Sequence, residues 1–495
     1  MNKLSKIYFI TLIILLCTSC ATVSSSPQET TTSSSQPTFT PSPEPTNTAH
    51  ATTNATAVIA TAVSQITPEP SHTPHPTTEI IKPTATATIR PFPTLDSERP
   101  TPATAVPPPV RPFTKPDHIT NIVLLGNDVN TPQGGRTDSI ILVSLNRESK
   151  TATMLSLPRD LYVVIPGWEM NRINLALPHG HGVDYLGEGG GRLIKDTIEY
   201  NLGIPVDYYA RIGFDGLKTA VDTLGGIDVA VTCSLRDWRL ISPELDPELE
   251  ESYEQFHLEP GVHEMDGDLA LWYARSRRTS NDFERGRRQQ QLLRALFNTG
   301  LNKNLLPELP TMWQTYKDNV ETDIPLATMI ELATMAPAVQ ENGIQHLYLV
   351  GDDIKAWREP TTKAAVQLLQ WENAQHTLSR VMQTPLLNRA SRPPIIVEVW
   401  ANDEEDYQLF AENLAWYGFV PRYGGQPETT SAYTYIQYFA PNFKESYSWL
   451  LSWVFQQTPE NIDLITDVES NVNYRVFLGH NANPCLAQLQ GPDTQ

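Results

Sequence analysis

A series of apolar runs, separated by turn residues, starts at residue 119. ITNIVLLG (119–126) has the length of a buried strand and breaks at Gly126. SIILVSL (139–145) and TATMLSL (151–157) flank the polar turn NRESK and predict a hairpin, and LYVVI (161–165) predicts a further strand. RLIKDTIEYN (192–201) has helical spacing, with Gly203 and Pro205 as stop signals. Phe214, Leu217, Val221 and Leu224 are spaced to share one helix face, which Gly225 and Gly226 end before the strand IDVAVT (227–232). RRQQQLLRALFNTG (287–300) predicts a long helix, and 303–375 has mostly helical patterning. Strands alternating with helices imply a layered α/β domain.

A second unit begins near Pro394. IIVEVWA (395–401), AYTYIQYF (432–439) and YRVFLG (474–479) predict strands, and YQLFAENLAWYGF (407–419) and FKESYSWLLSWVF (443–455) predict the helices between them. This is a small α+β unit with no evident catalytic cluster. Ahead of residue 117 the pattern is different. Residues 20–116 are rich in Thr, Ser and Pro, which bury too little apolar surface to offset their ordering entropy, and predict a disordered tether. Before that, Lys3 and Lys6 precede the apolar run Ile7–Cys17, which fits a signal peptide (1–19) and is short for a bilayer span. Small residues before Cys20 resemble a lipobox, although the usual Leu is Cys17. Cys20 is therefore the expected lipidated first residue of an exported protein. Cys233 and Cys485 remain; outside the cytosol they either pair or stay as buried thiols.

The chain of 495 residues has a formal net charge of -20, which argues against nucleic-acid binding as its main role. Against that acidity stands YARSRRTSNDFERGRRQQQLLR (273–294), with seven arginines: Arg275, Arg277, Arg278, Arg285, Arg287, Arg288 and Arg294. Guanidinium groups give forked donors suited to phosphate oxygens. Arg275 and Arg277 would share one face of an extended segment, and Arg285 and Arg288 one turn of a helix, so these four could surround a diphosphate. Arg287 and Arg294 are expected on a solvated helix face. A second signal is Asp128 and Asp138, each next to a strand end. They are oxygen ligands suited to Mg²⁺ or Mn²⁺ when they act together, and ordinary turn residues when they do not. Arg159 and Asp160 in LPRD add a weaker pair. His179 and His181 lie in a Gly-rich stretch expected to be a mobile insertion rather than a metal site. No GxSxG, HExxH or Walker motif occurs.

The blocks NIVLLGNDV, GRTDSIILVSLN, TATMLSLPRDLYVVIPG, RINLA, LGIPVDYYARIGFDGLKTAVDTLGGIDVAV, LEPGVHEMDGDLALWYARSRR and DFERGRRQQQLL resemble, in order, the catalytic domain of LytR-CpsA-Psr (LCP) proteins. The resemblance implies an α-β-α domain over 117–375 with an apolar lipid channel, and a LytR C-terminal-like domain over 392–490. It implies a phosphotransferase that moves a glycopolymer from a polyprenyl-pyrophosphate carrier to peptidoglycan, assisted by Mg²⁺. On the family motifs, Asp128 and Asp138 fall at the metal positions. Arg136, Arg159, Arg275, Arg277, Arg285, Arg288 and Gln289 fall at the pyrophosphate positions, and Asp160 and Asp282 are candidates for a general base. Two rival readings are a hydrolase using the same site and a non-catalytic envelope lipid- or glycan-binding protein. The chain departs from the family at Glu284, where glycine is usual, and in place of the usual transmembrane helix it has the lipoprotein-like signal. It also has insertions at about 178–191 and 234–257, expected as loops.

Overall fold

The computed structural model describes residues 90–486, apart from 129–134, 243, 247, 280, 306, 308–309, 311–312, 314–319, 386–392, 440–446, 459–461 and 466–469. The expected signal peptide, Cys20 and most of the expected tether lie outside the described residues. Among the described residues no helix is long and apolar enough to cross a membrane.

The strands of the first unit are β1 (Ile119–Asn127), β2 (Thr137–Asn146), β3 (Thr151–Ser156), β4 (Tyr162–Val164), β5 (Met170–Arg172), β6 (Tyr208–Ile212), β7 (Ile227–Val231), β8 (Leu235–Leu240), β9 (Tyr253–Leu258), β10 (Gly261–Met265), β11 (Val320–Thr322), β12 (Ile344–Tyr348), β13 (Ile354–Arg358) and β14 (Ala365–Leu369). Its first helices are α1 (Ala176–Gly182), α2 (Gly189–Leu202), α3 (Phe214–Leu224), α4 (Gly267–Arg275) and α5 (Asp282–Asn302). Six strands form a mixed sheet in the order β11-β6-β1-β2-β3-β12. Period-two alternation splits the core between its two faces. Ile141, Val143 and Leu145 of β2 point to one face, under α3, α4 and α5; Ile140 and Leu142 point to the other, under α1 and α2. The result is an α/β, α-β-α layered domain, as the resemblance implied.

Three expectations change. Among the described residues, 303–375 is not mostly helical: β12 pairs in parallel with β3 and completes the sheet, and β13 pairs with β14. Their apolar runs are only a few residues long, too short for periodicity to separate helix from strand. The two insertions are built structure rather than loops. Residues 178–191 belong largely to α1 and α2, and 234–257 form the β8–β9 hairpin. The third change is at the start of the ordered chain, because residues 90–116 are a packed strap instead of the end of a tether. Arg90 bonds Asp196 at 2.6 Å and Glu199 at 2.7 Å, while Val110 and Phe113 donate backbone bonds to Tyr200 and Gly203. Gly203 ends α2 at φ +66°, and a Cβ there would stand 2.9 Å from Val110 Cγ1, so glycine serves both the helix stop and the close approach of the strap.

In the second unit, β15 (Ile396–Trp400), β16 (Val420–Gly425), β17 (Tyr435–Phe439), β18 (Ile462–Ile465) and β19 (Tyr474–Phe477) form a sheet in the order β16-β15-β19-β17-β18. The helices Glu404–Trp416 and Ser448–Val454 pack on it. The two edge strands, β16 and β18, were not predicted. One contains Pro and Gly, and in the other Asp463 and Leu464 are exposed. The cysteines are paired: Cys233, just after β7, is joined to Cys485.

Candidate active site

The site lies at the end of β1 and the start of β2. Asn127 is paired with Thr137 across the two strands, so Asp128 and Asp138 flank the same open end of the sheet. Asp128 Oδ1 accepts the backbone N–H of Arg136 at 2.7 Å, while the Arg136 side chain is exposed. Asp138 Oδ1 accepts Arg159 Nη1 at 2.6 Å. Burial opposes the charge on Arg159, but the bond to Asp138 together with the charges of Asp138, Asp160 and Asp282 outweighs it and holds the guanidinium above the usual arginine range. Asp160 in turn is held by Arg159 at 3.4 Å and by Arg172 Nη1 at 3.2 Å. The part played by Arg172 was missed in the sequence, although it stands in the RINLA block.

Helix α5 brings the second group. Asp282 opens it, accepts a hydrogen bond from Arg277 Nη2 at 2.6 Å and forms an ion pair with Arg285 Nη1 at 3.3 Å. Burial raises the Asp282 carboxyl, yet Arg277 and Arg285 pull it below the usual range, so it stays ionised. Arg285 has the opposite balance. It is nearly buried, and burial lowers its pKa to about 10 despite Asp282. Its Nε has no hydrogen-bond partner among the described residues. Such a group is suited to receive an anion. Glu284, the departure from the family, does not face this cluster. Its carboxylate accepts the Asn281 N–H at 3.1 Å and the Asn281 side chain accepts the Glu284 N–H, a capping box that starts α5.

The arginine cluster divides into separate jobs. Arg275 is the last residue of α4 rather than part of an extended segment, so it does not share a face with Arg277 as expected; its guanidinium lies 4.3 Å from the Phe214 ring centroid. Arg288 bonds the Tyr273 and Ser276 carbonyls at the C-terminal end of α4, which ties α4 to α5. Gln289 donates to the Ala274 carbonyl at 3.3 Å. Arg287 and Arg294 are not on a solvated face. They are buried and bond Asn413 and Glu412 of the helix Glu404–Trp416, with the Trp416 ring 5.0 and 5.6 Å from their guanidinium carbons. The expected mobile histidines are fixed too. His181 Nε2 lies 2.8 Å from Glu321, and His179 stacks on Trp168.

Two cavities meet at this cluster. The larger, of about 140 Å³, is lined mainly by apolar side chains of β1, β6, α3 and α5, among them Leu124, Ile212, Phe214, Leu217, Leu292 and Leu296. Polar residues share the lining: Asn127, Asp138, Ser139, Arg211, Arg275 and Gln289. The smaller, of about 30 Å³, also contains Asp138 and Gln289, and adds Arg159, Asp282 and Arg285. A mainly apolar cavity that shares Asp138 and Gln289 with an arginine–aspartate cluster suits an amphiphile with an anionic head and a hydrocarbon chain. Among the described residues no group of three or more metal-binding side chains occurs. Two carboxylates at one end of the sheet nonetheless fit Mg²⁺ or Mn²⁺, because such ions keep several waters and take substrate phosphate oxygens as ligands.

Known proteins place the chain in the same context. Residues 93–380 match the model of the LytR_cpsA_psr family. The polyisoprenyl-teichoic acid–peptidoglycan teichoic acid transferase TagU of Bacillus licheniformis is 30% identical over 238 residues, which are 48% of this chain and 69% of that protein. The corresponding transferase TagT of Bacillus subtilis is 30% identical over 239 residues, 47% of this chain and 68% of its own. The crystal structure of B. subtilis TagV aligns with a TM-score of 0.43 at 26% identity, covering 54% of this chain and 98% of that one. With more than half of its length under the family model, the chain belongs to the LytR-CpsA-Psr family.

Proposed function

We propose that this chain is an envelope phosphotransferase that moves a glycopolymer from a polyprenyl-pyrophosphate carrier to peptidoglycan. The observation that carries the reading is the apolar cavity that opens onto Asp138, Arg275 and Gln289 beside Arg159 and Arg285. A polyprenyl chain fills the apolar part and its pyrophosphate meets the arginines. Arg275, Arg277 and Arg285 offset charge as the bridging oxygen leaves, and Arg159 holds Asp138 in place. Asp128 and Asp138 would hold Mg²⁺ or Mn²⁺, which when bound neutralises phosphate oxygens. Of the two candidate bases, Asp282 lines the smaller cavity and Asp160 lines neither cavity.

The test mixes purified protein with polyprenyl-pyrophosphate-linked glycan and a peptidoglycan oligomer. The expected products are polyprenyl phosphate and a phosphodiester-linked glycan on the oligomer. Free glycan phosphate in equal amount with and without the oligomer would replace transfer by hydrolysis. The protein acts outside the cytoplasm, anchored by a lipid on Cys20 after removal of residues 1–19; the short apolar run and the small residues before Cys20 support this. Replacing Cys20 by Ala and fractionating cells checks it: membrane retention unchanged, with the signal still attached by intact mass, refutes the lipid anchor.

A further inference from the structure

The smaller cavity shares its arginines with the pyrophosphate site, but a reading that ends with lipid and pyrophosphate leaves it without an occupant. Its position relative to the larger one is set by strand order. The larger cavity takes Leu124 and Leu125 from β1 and Ala210 and Ile212 from β6. The smaller takes Ser156 at the end of β3, the Leu157–Arg159 turn and Tyr348 of β12. In the order β11-β6-β1-β2-β3-β12 these are opposite flanks of β2, whose Asp138 belongs to both. Gln289 of α5 is the other shared wall. A phosphorus held at Asp138 therefore has one cavity on each side.

We infer that the smaller cavity is the acceptor subsite, where a hydroxyl-bearing arm of the acceptor sugar enters. This rests on the phosphotransferase reading above and adds a place for its second substrate. Phosphoryl transfer runs with attacking and leaving oxygens roughly in line. With the lipid in the larger cavity, the leaving oxygen lies on the β1–β6 side and the attacking oxygen must come from the β3–β12 side. A volume of about 30 Å³ admits roughly two waters, the size of one alcohol arm and far less than a sugar ring. The walls supply matching chemistry. Asp282 is an ionised carboxylate able to accept the hydroxyl proton, and the unpartnered Arg285 Nε is a donor for a phosphate oxygen. In the step, the acceptor oxygen bonds to the sugar-linked phosphorus and the bridging P–O bond breaks. Its electron pair leaves with polyprenyl phosphate, and the proton passes through Asp282 to solvent.

Gly286 gives the test. It lies in the wall of the smaller cavity and outside the larger one. A Cβ there would stand 3.3 Å from the Tyr348 ring and 3.5 Å from Ser156, so Gly286→Ala narrows the cavity, and alanine favours the helix. Transfer kinetics are measured with the peptidoglycan oligomer varied, and donor affinity by calorimetry with the polyprenyl-pyrophosphate-linked glycan in the absence of the oligomer. The expected result is an acceptor KM at least fivefold higher, with donor affinity within twofold and an unchanged melting temperature. Gly286→Ser, slightly larger, should raise the acceptor KM further. A parallel loss of donor affinity would assign the cavity to the donor glycan and overturn the inference. Unchanged kinetics in both variants would overturn it as well, while leaving the phosphotransferase reading intact. Absence of transfer in the unaltered protein would sink both.

Discussion

Trp416 is the last residue of the helix Glu404–Trp416, and its removal tests how firmly the second unit is held. The ring is 5% exposed, stacks on His346 with centroids 3.8 Å apart and an interplanar angle of 10°, and has Arg287 and Arg294 beside it. Trp416→Ala removes the stack and both cation–π contacts and leaves two buried guanidinium groups facing a void. Truncating a buried aromatic costs about 3–5 kcal/mol. At roughly 2 °C per kcal/mol, the lower end for domains of this size, the melting temperature should fall by roughly 6–10 °C. The Cys233–Cys485 bond keeps the units joined, so the loss should appear as earlier unfolding without separation. Differential scanning calorimetry measures it, with Trp449→Ala as the control: that ring is 44% exposed, and its loss should cost less than about 0.5 kcal/mol. A fall below about 2 °C for Trp416→Ala, or an equal fall for both variants, would refute the claim that Trp416 anchors the unit.

The remaining expectations follow from the same geometry. Asp138→Ala should lower transfer at least ~100-fold, the scale of losing a preorganised charge at the reacting centre, and circular dichroism should show an intact fold; retained transfer, or full activity in excess chelator, would speak against the metal proposal. Arg275→Ala should weaken binding of polyprenyl pyrophosphate by about 1.5–3 kcal/mol, the value of one charge-assisted bond, read by calorimetry. His346 is held neutral by burial, reinforced by Arg294 and Arg287, well below the usual imidazole range. The unfolded chain takes up a proton there as pH falls below about 6.5 and the folded chain does not. Its effect on stability is therefore nil above about 6.5 and destabilising below, and the fall in melting temperature from pH 7 to 5 should be smaller in His346→Gln; equal slopes would exclude the histidine as the cause.

The parts legible in the sequence were those written in local pattern. The central strands β1, β2 and β3 are long and apolar, and their boundaries fell within two residues of those observed. Strands β11, β13 and β14 are short and half-exposed, so nothing in their own pattern separated them from helix. At the site, the motif blocks named Asp138, Arg159, Asp282, Arg285 and Gln289, which the fold does bring together. Partner choice was not legible. Asp138 to Arg159, Asp160 to Arg172 and Glu284 to its own helix start are set by side-chain direction once the chain is folded. The pairing of Cys233 with Cys485 across 252 residues is likewise a product of how the two units dock.

The arginine run shows where sequence density misleads. Seven arginines in one stretch suggest one anion site, but helix geometry separates them. At about 100° per residue, Arg287 and Arg294 lie about 200° and 180° round the α5 axis from Arg285, while Gln289 is only about 40° away. The face carrying Arg285 and Gln289 turns to the two cavities, and the opposite face must meet solvent or protein. Here it meets Glu412, Asn413 and Trp416. The spacing alone thus assigns the two arginines to the far side of the helix, but which surface waits there is decided by residues more than a hundred positions away. One helix thus meets the second unit on one face and carries Arg285 and Gln289 to the cavities on the other.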